Sequence, residues 1–104
     1  MGLTVYWTHF AENKLDDVFA YYCEKVGFRI AQKLVSEIIS KSVDLEQNPL
    51  IGQKELLLTH RIQEFRYLVY KSYKIIYRIN LEKQRIEIVN LFDCRQNPKK
   101  IDEI

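Results

Sequence analysis

The residues best suited to chemistry in this chain sit in one stretch, Phe65 to Ile79, which reads FRYLVYKSYKIIYRI. It holds four tyrosines, four basic residues and no acid. Basic side chains at strand spacing can neutralise phosphates or carboxylates, and tyrosine rings between them can stack on bases. On a strand, alternate residues face opposite ways. That rule groups Arg66, Leu68 and Tyr70 on one face of the first strand, and Lys74, Ile76 and Arg78 on one face of the next. The expectation is one mixed face carrying Arg66, Lys74 and Arg78 among Leu68, Tyr70 and Ile76. The other face, with Phe65, Tyr67 and Val69 and with Tyr73, Ile75, Tyr77 and Ile79, should meet the helices as core. Three cations without an acid repel one another, and either nucleic acid or an acidic protein segment would relieve that. The same pattern also fits a plain solvated sheet face. Arg95, just past the last strand, can join the rim, while Lys99 and Lys100 read as solvated.

Other chemistries find no support. His9 and His60 are the only histidines, and neither has a Cys or carboxylate at metal-ligand spacing. There is no nucleophile elbow, phosphate-binding loop or dinucleotide fingerprint, and three glycines cannot build a phosphate cradle. No cofactor and no metal are expected. Cys23 and Cys94 lack a CxxC spacing and are read as free, largely buried thiols of a reducing compartment.

Those strands must be positioned by the rest of a 104-residue chain, close to the size of one domain spanning 1–104. The net charge is only +2, but residues 1–52 carry five Lys/Arg against seven Asp/Glu, and residues 53–104 carry eleven against seven. The second half is therefore basic, and local field steers an anionic partner more than net charge does. The chain shows no signal peptide and no apolar stretch of membrane-spanning length. The expectation is a cytoplasmic protein with no membrane association.

Residues 3–7 (LTVYW) read as a strand. Thr8 can cap a helix whose apolar face is Ala11, Leu15, Val18, Phe19, Tyr22 and Val26, ended by Gly27. A second helix should run from about Phe28 to Glu46, with Ala31, Leu34, Val35, Ile38, Ile39 and Leu45 inward, closed by Pro49 and Gly52. The short joint makes an antiparallel helical hairpin. After Gly52 the period becomes two. His60–Glu64 reads as a strand or its approach, followed by strands at 65–71, 73–79 and 85–92, with regular structure ending at Pro98. The expected class is α+β, β-α-α-β-β-β, with a helical hairpin packed on a mainly antiparallel sheet.

In this order the pieces VYW-T-xx-A (Val5–Ala11), LEQNPLIG (Leu45–Gly52), FRYLVYKSYKIIYRI and IEIVNLFDCRQNP (Ile86–Pro98) together resemble the RelE/ParE toxin superfamily. The resemblance covers nearly the whole chain. It implies a bacterial toxin of a type II toxin–antitoxin pair, of the plasmid-stabilisation kind, neutralised by a cognate antitoxin. Arg66, Tyr70, Lys74, Arg78 and Arg95 would meet the antitoxin or the target. RelE-like members are ribosome-dependent mRNA endoribonucleases, in which basic strand residues stabilise the phosphorane and a C-terminal Tyr or His moves a proton. Arg66, Lys74 and Arg95 would be the catalytic stabilisers here. The family's Y-R-L-V-Y strand appears as Tyr73-Lys74-Ile75-Ile76-Tyr77, with Lys in place of Arg, and no Tyr or His follows Tyr77. With its proton shuttle missing, the chain is read as a ParE-like inhibitor of DNA gyrase. The RelE-like nuclease acting on ribosome-bound mRNA is the alternative, and a non-toxic binding module with a basic face is the second.

Overall fold

The computed structural model describes residues 2–103. Residues 1 and 104, the limits of the domain expected from sequence, lie outside them. Strand β1 (Thr4–Trp7) leads into helices α1 (His9–Lys25) and α2 (Phe28–Val43). Strands β2 (Gln53–Lys54), β3 (Arg66–Tyr70), β4 (Tyr73–Asn80) and β5 (Arg85–Asp93) follow. The five strands lie in the order β1-β5-β4-β3-β2. All neighbours are antiparallel except β1, which runs parallel to β5.

The helical hairpin forms for the reasons the sequence offers. The Thr8 hydroxyl accepts the Ala11 amide at 3.2 Å, filling one of the orphan donors of the first turn. Gly27 sits at φ 130°, a conformation side-chain-bearing residues avoid, and this reverses the chain between α1 and α2. Ala11 from α1, with Leu34 and Ile38 from α2, pack on Tyr73, Ile75, Tyr77, Ile86, Ile88 and Leu91 of the sheet. Val26 and Ile39, expected in this interface, are instead exposed. The helix proper stops at Val43, and a 3-10 turn, Asp44–Glu46, carries Leu45 into the core. Glu46 then accepts the Val5 amide at 2.8 Å. That carboxylate occupies a backbone donor of the edge strand that would otherwise invite a second chain.

Alternation along β5 is broken once. Tyr77 pairs with Ile88 and Ile76 with Asn90, so Val89 is an extra residue on β5, a β-bulge. The bulge shifts the parity of everything beyond it. Ile86, Ile88 and Leu91 all reach the helix side, while Val89 and Phe92 reach the outer side.

The outer side of the sheet is also covered. His60–Glu64, read as a strand or its approach, is the irregular approach to β3 and not a strand. The ladder partner of β3 is the two-residue β2 instead, and a 3-10 turn, Leu56–Leu58, and bends follow it. Nor does regular structure end at Pro98, because Pro98–Glu103 makes a 3-10 helix. Leu58 and Ile101 from these two segments close over Phe65, Ile76 and Phe92. A polar-looking tail hid one buried isoleucine, which is too little for periodicity to reveal. Both cysteines are free, but Cys23 is half-buried and Cys94, beyond the sheet, is exposed. They do not share the burial expected of them.

Candidate functional site

The turn between β3 and β4 decides which side chains share a surface. Tyr70 pairs with Tyr73 across the two residues Lys71 and Ser72, and Lys71 takes φ 53° to make the reversal. Residues paired across strands lie on the same face. Since 70 is even and 73 odd, the reversal swaps parity. Arg66, Leu68 and Tyr70 therefore share the helix side with Tyr73, Ile75 and Tyr77. Lys74, Ile76 and Arg78 lie on the outer side with Tyr67. The single mixed face expected from sequence does not exist. Ile76 is fully buried, Leu68 packs against the helix-side core, and the Tyr70 hydroxyl donates to Glu37 on α2. That bond to a carboxylate, with some burial, raises the Tyr70 pKa.

The cations are not acid-free either. Lys74 Nζ sits 2.7 Å from Glu55 and 4.2 Å from the centre of the Tyr67 ring. Arg78 and Arg85 both bind Glu87, at 2.6 and 2.7 Å, and Asn80 adds a third donor. Arg66 bonds Glu64 at 3.0 Å and the Gly52 carbonyl at 2.8 Å. Arg95 binds Asp93 at 2.8 Å. Every one of these carboxylates lies outside residues 65–79, so a reading confined to that stretch could not see them. Glu87 was the legible one, since an antiparallel pairing of the last two strands sets it opposite Arg78. Burial disfavours the Glu87 carboxylate, yet the hydrogen bonds from Arg85, Asn80 and Arg78 outweigh it and hold its pKa below the usual range.

These ion pairs do not cancel the basic character. Glu87 is shared by two guanidinium groups, and Glu64 by Arg66 and Lys54. Arg66 and Arg78 line one cavity of about 380 Å³ at the end of the sheet, with Gln63, Glu64 and Ile79. The Arg78 Nε is buried and has no acceptor among the described residues. At the opposite end, Arg95 lines a cavity of about 450 Å³ between α1 and the sheet, with Lys14, Asp17, Tyr21, Tyr73 and Asp93. The Arg95–Asp93 hydrogen bonds lead the causes that lower the Asp93 pKa.

The three residues that a nuclease centre would need are kept apart. Arg66 pairs with Tyr77 and Asp93 with Tyr73, four positions along β4 and so about 14 Å at strand rise. Lys74 belongs to the other face. Tyr77, the last tyrosine of the chain, is fully buried, its hydroxyl donating to the Pro49 carbonyl at 2.7 Å and accepting the Gly52 amide at 3.0 Å. Among the described residues no group of three His, Cys, Asp or Glu is placed to hold a metal ion.

A family model, the ParE toxin of type II toxin–antitoxin systems (parDE), matches residues 5–98. The chain belongs to the ParE toxin family. One solved structure with this fold is described as the chromosomal ParDE toxin–antitoxin system from P. aeruginosa. It superposes with a TM-score of 0.72 at 20% identity, over 88% of this chain and 95% of that one. No curated protein matches this chain. As a ParE-family type II toxin it has a cognate antitoxin as its partner. Among the described residues, no helix of this toxin is long and apolar enough to cross a membrane.

Proposed function

We propose that this toxin acts in the cytoplasm as an inhibitor of DNA gyrase and does not cut RNA. The observation that carries this reading is the separation of Arg66, Lys74 and Arg95. Cleaving RNA requires a proton acceptor, a proton donor and cations at one phosphate. Here the strand positions of Arg66 and of Asp93, the partner of Arg95, are about 14 Å apart, Lys74 faces the other way, and each cation is already paired to a carboxylate. The last tyrosine hydroxyl of the chain, that of Tyr77 within β4, is spent inside the core. In the same reading, the antitoxin or the target contacts Arg66 and Arg78 at one end of the sheet, Arg95 and Tyr70 on the helix side, and Lys74 on the outer side. Two cavities and a surplus of cations at the Arg66–Arg78 end support that choice.

The deciding experiment expresses the chain alone from a tight inducible promoter, then assays the purified toxin for gyrase-mediated DNA cleavage and in cell-free translation. Trapped gyrase cleavage complexes with translation intact are the expected result. Blocked translation, with mRNA cut at ribosomes, would overturn the reading in favour of the RelE-like activity. A pure, folded protein that does neither would leave the non-toxic binding module.

A further inference from the structure

The outer face of the sheet is closed by a segment of the chain that, among the described residues, is attached at few points. Ile101 is 1% exposed and seals the apolar floor made by Leu58, Phe65, Ile76 and Phe92. The next residue, Asp102, lies in a clamp of two neighbouring side chains. Arg61 Nε donates to Asp102 Oδ1 at 2.8 Å and Arg61 Nη2 to the Asp102 carbonyl at 2.7 Å, while His60 Nε2 lies 2.9 Å from Asp102 Oδ2. The clamp lowers the Asp102 pKa, the Arg61 bond leading. Before them, Lys99 and Lys100 are exposed and make only local turn bonds with Asn97. Among the described residues, the Ile101 side chain and the Asp102 ion cluster hold the tail, and exposed ion pairs hold little. Segments of this kind open locally, well before the strands they cover.

The segment that forms the clamp is unusual in a second way. Leu56, Leu57 and Ile62 are 74%, 48% and 102% exposed, all within ten residues of one another and flanking the two clamp residues. Three large apolar residues left in water on the segment that builds the pocket mark a contact surface larger than the tail alone covers.

We propose that this outer-face pocket is a docking site for a short turn of a partner protein in which an aliphatic residue is followed by an acid. The tail of the toxin itself, Ile101-Asp102, is the occupant in cis and shows the chemistry the site selects. The aliphatic side chain enters between Leu58, Phe65, Ile76 and Phe92, the carboxylate is taken by Arg61 and His60, and flanking apolar residues of the partner cover Leu56, Leu57 and Ile62. A cation-bearing pocket with an apolar floor favours an acidic protein segment over nucleic acid, whose phosphates would gain nothing from that floor. The tail then acts as a plug that a partner must displace, and it lowers the apparent affinity by the fraction of molecules in which the pocket is closed.

The test uses the full chain and a fluorescein-labelled peptide copying residues 95–104 as the probe. Fluorescence anisotropy should show the peptide binding the Ile101→Ala/Asp102→Asn toxin at least about tenfold more tightly than the wild type. Adding Arg61→Ala to that variant should remove the gain, as should replacing the peptide's aspartate by asparagine. Binding that is equal in all of these proteins, or absent in the opened variant, would overturn the proposal. So would peptide-free exchange of tails between copies, seen as a dimer by light scattering, because the pocket would then serve self-association. Should the double variant not fold, trypsin decides on the wild type. Cleavage after Lys100 at a rate indifferent to low urea shows the plug opening locally, and cleavage that tracks global unfolding shows a fixed structural tail.

Discussion

The hydroxyl of Tyr77 and the amide of Gly52 are locked together inside the protein, 3.0 Å apart, and a Cβ at position 52 would come within 2.5 Å of that same oxygen. The contact joins the centre of β4 to the turn that leaves α2, and it requires both residues as they are. Tyr77→Phe should leave the Gly52 amide and the Pro49 carbonyl without their partner and lower stability by about 1–3 kcal/mol. Gly52→Ala, which presses also on the Tyr67 carbonyl at 2.8 Å, should cost about 1–3 kcal/mol by overpacking. Urea midpoints of the two variants at unchanged m-value measure both.

The Lys74–Glu55 pair is expected to matter more for folding than for any anion. Glu55 is 3% exposed, so Lys74→Ala would strand its carboxylate and cost about 3–5 kcal/mol. Lys74→Met combined with Glu55→Gln should recover most of that loss. A double-mutant cycle in urea checks the coupling, and a coupling near zero would mean the pair is merely superficial.

Glu87 should shape the acid limb of stability. Its folded pKa lies below the ordinary value of 4.5, so the unfolded chain binds the proton more readily. The contribution is complete above about pH 4.5 and is lost as the pH falls through the folded value. Glu87→Gln should therefore be less stable than the wild type at neutral pH and lose less stability on acidification. Thermal melts between pH 7 and roughly pH 3 test the convergence of the two curves.

Arg95 offers the cleanest test of antitoxin contact, because its side chain is 59% exposed. Arg95→Gln is expected to weaken antitoxin binding by about tenfold at low salt, with the difference shrinking as salt screens it. Calorimetric titration at two ionic strengths gives the answer, and identical affinities at low salt would remove Arg95 from the interface.

The helices and the three long strands were legible because their apolar periods are long and their signals local. Thr8, Gly27 and the change of period after Gly52 each act within a few residues. The sheet faces were misread for a different reason. A parity carried across a two-residue turn changes sign, and Tyr70 opposite Tyr73 is a fact of pairing that alternation within each strand does not contain. The Val89 bulge is likewise a property of two strands together. The candidate site suffered most, since its acids come from Glu55, Glu64, Glu87 and Asp93, residues that only the folded chain brings to Lys74, Arg66, Arg78 and Arg95. The tail escaped notice because a single buried residue, Ile101, gives no period.

The parallel pairing of β1 with β5 also sets a clock. Thr4 leaves the ribosome well before its ladder partner, Arg85. At about 5–20 residues per second, the first strand waits several seconds or more for its neighbour. During that wait the hairpin helices have no completed sheet to lie on, and the nascent chain has none of the finished surface that a target would recognise. A toxin wired in this way cannot complete its sheet until β5 has left the ribosome, however early β1 was made.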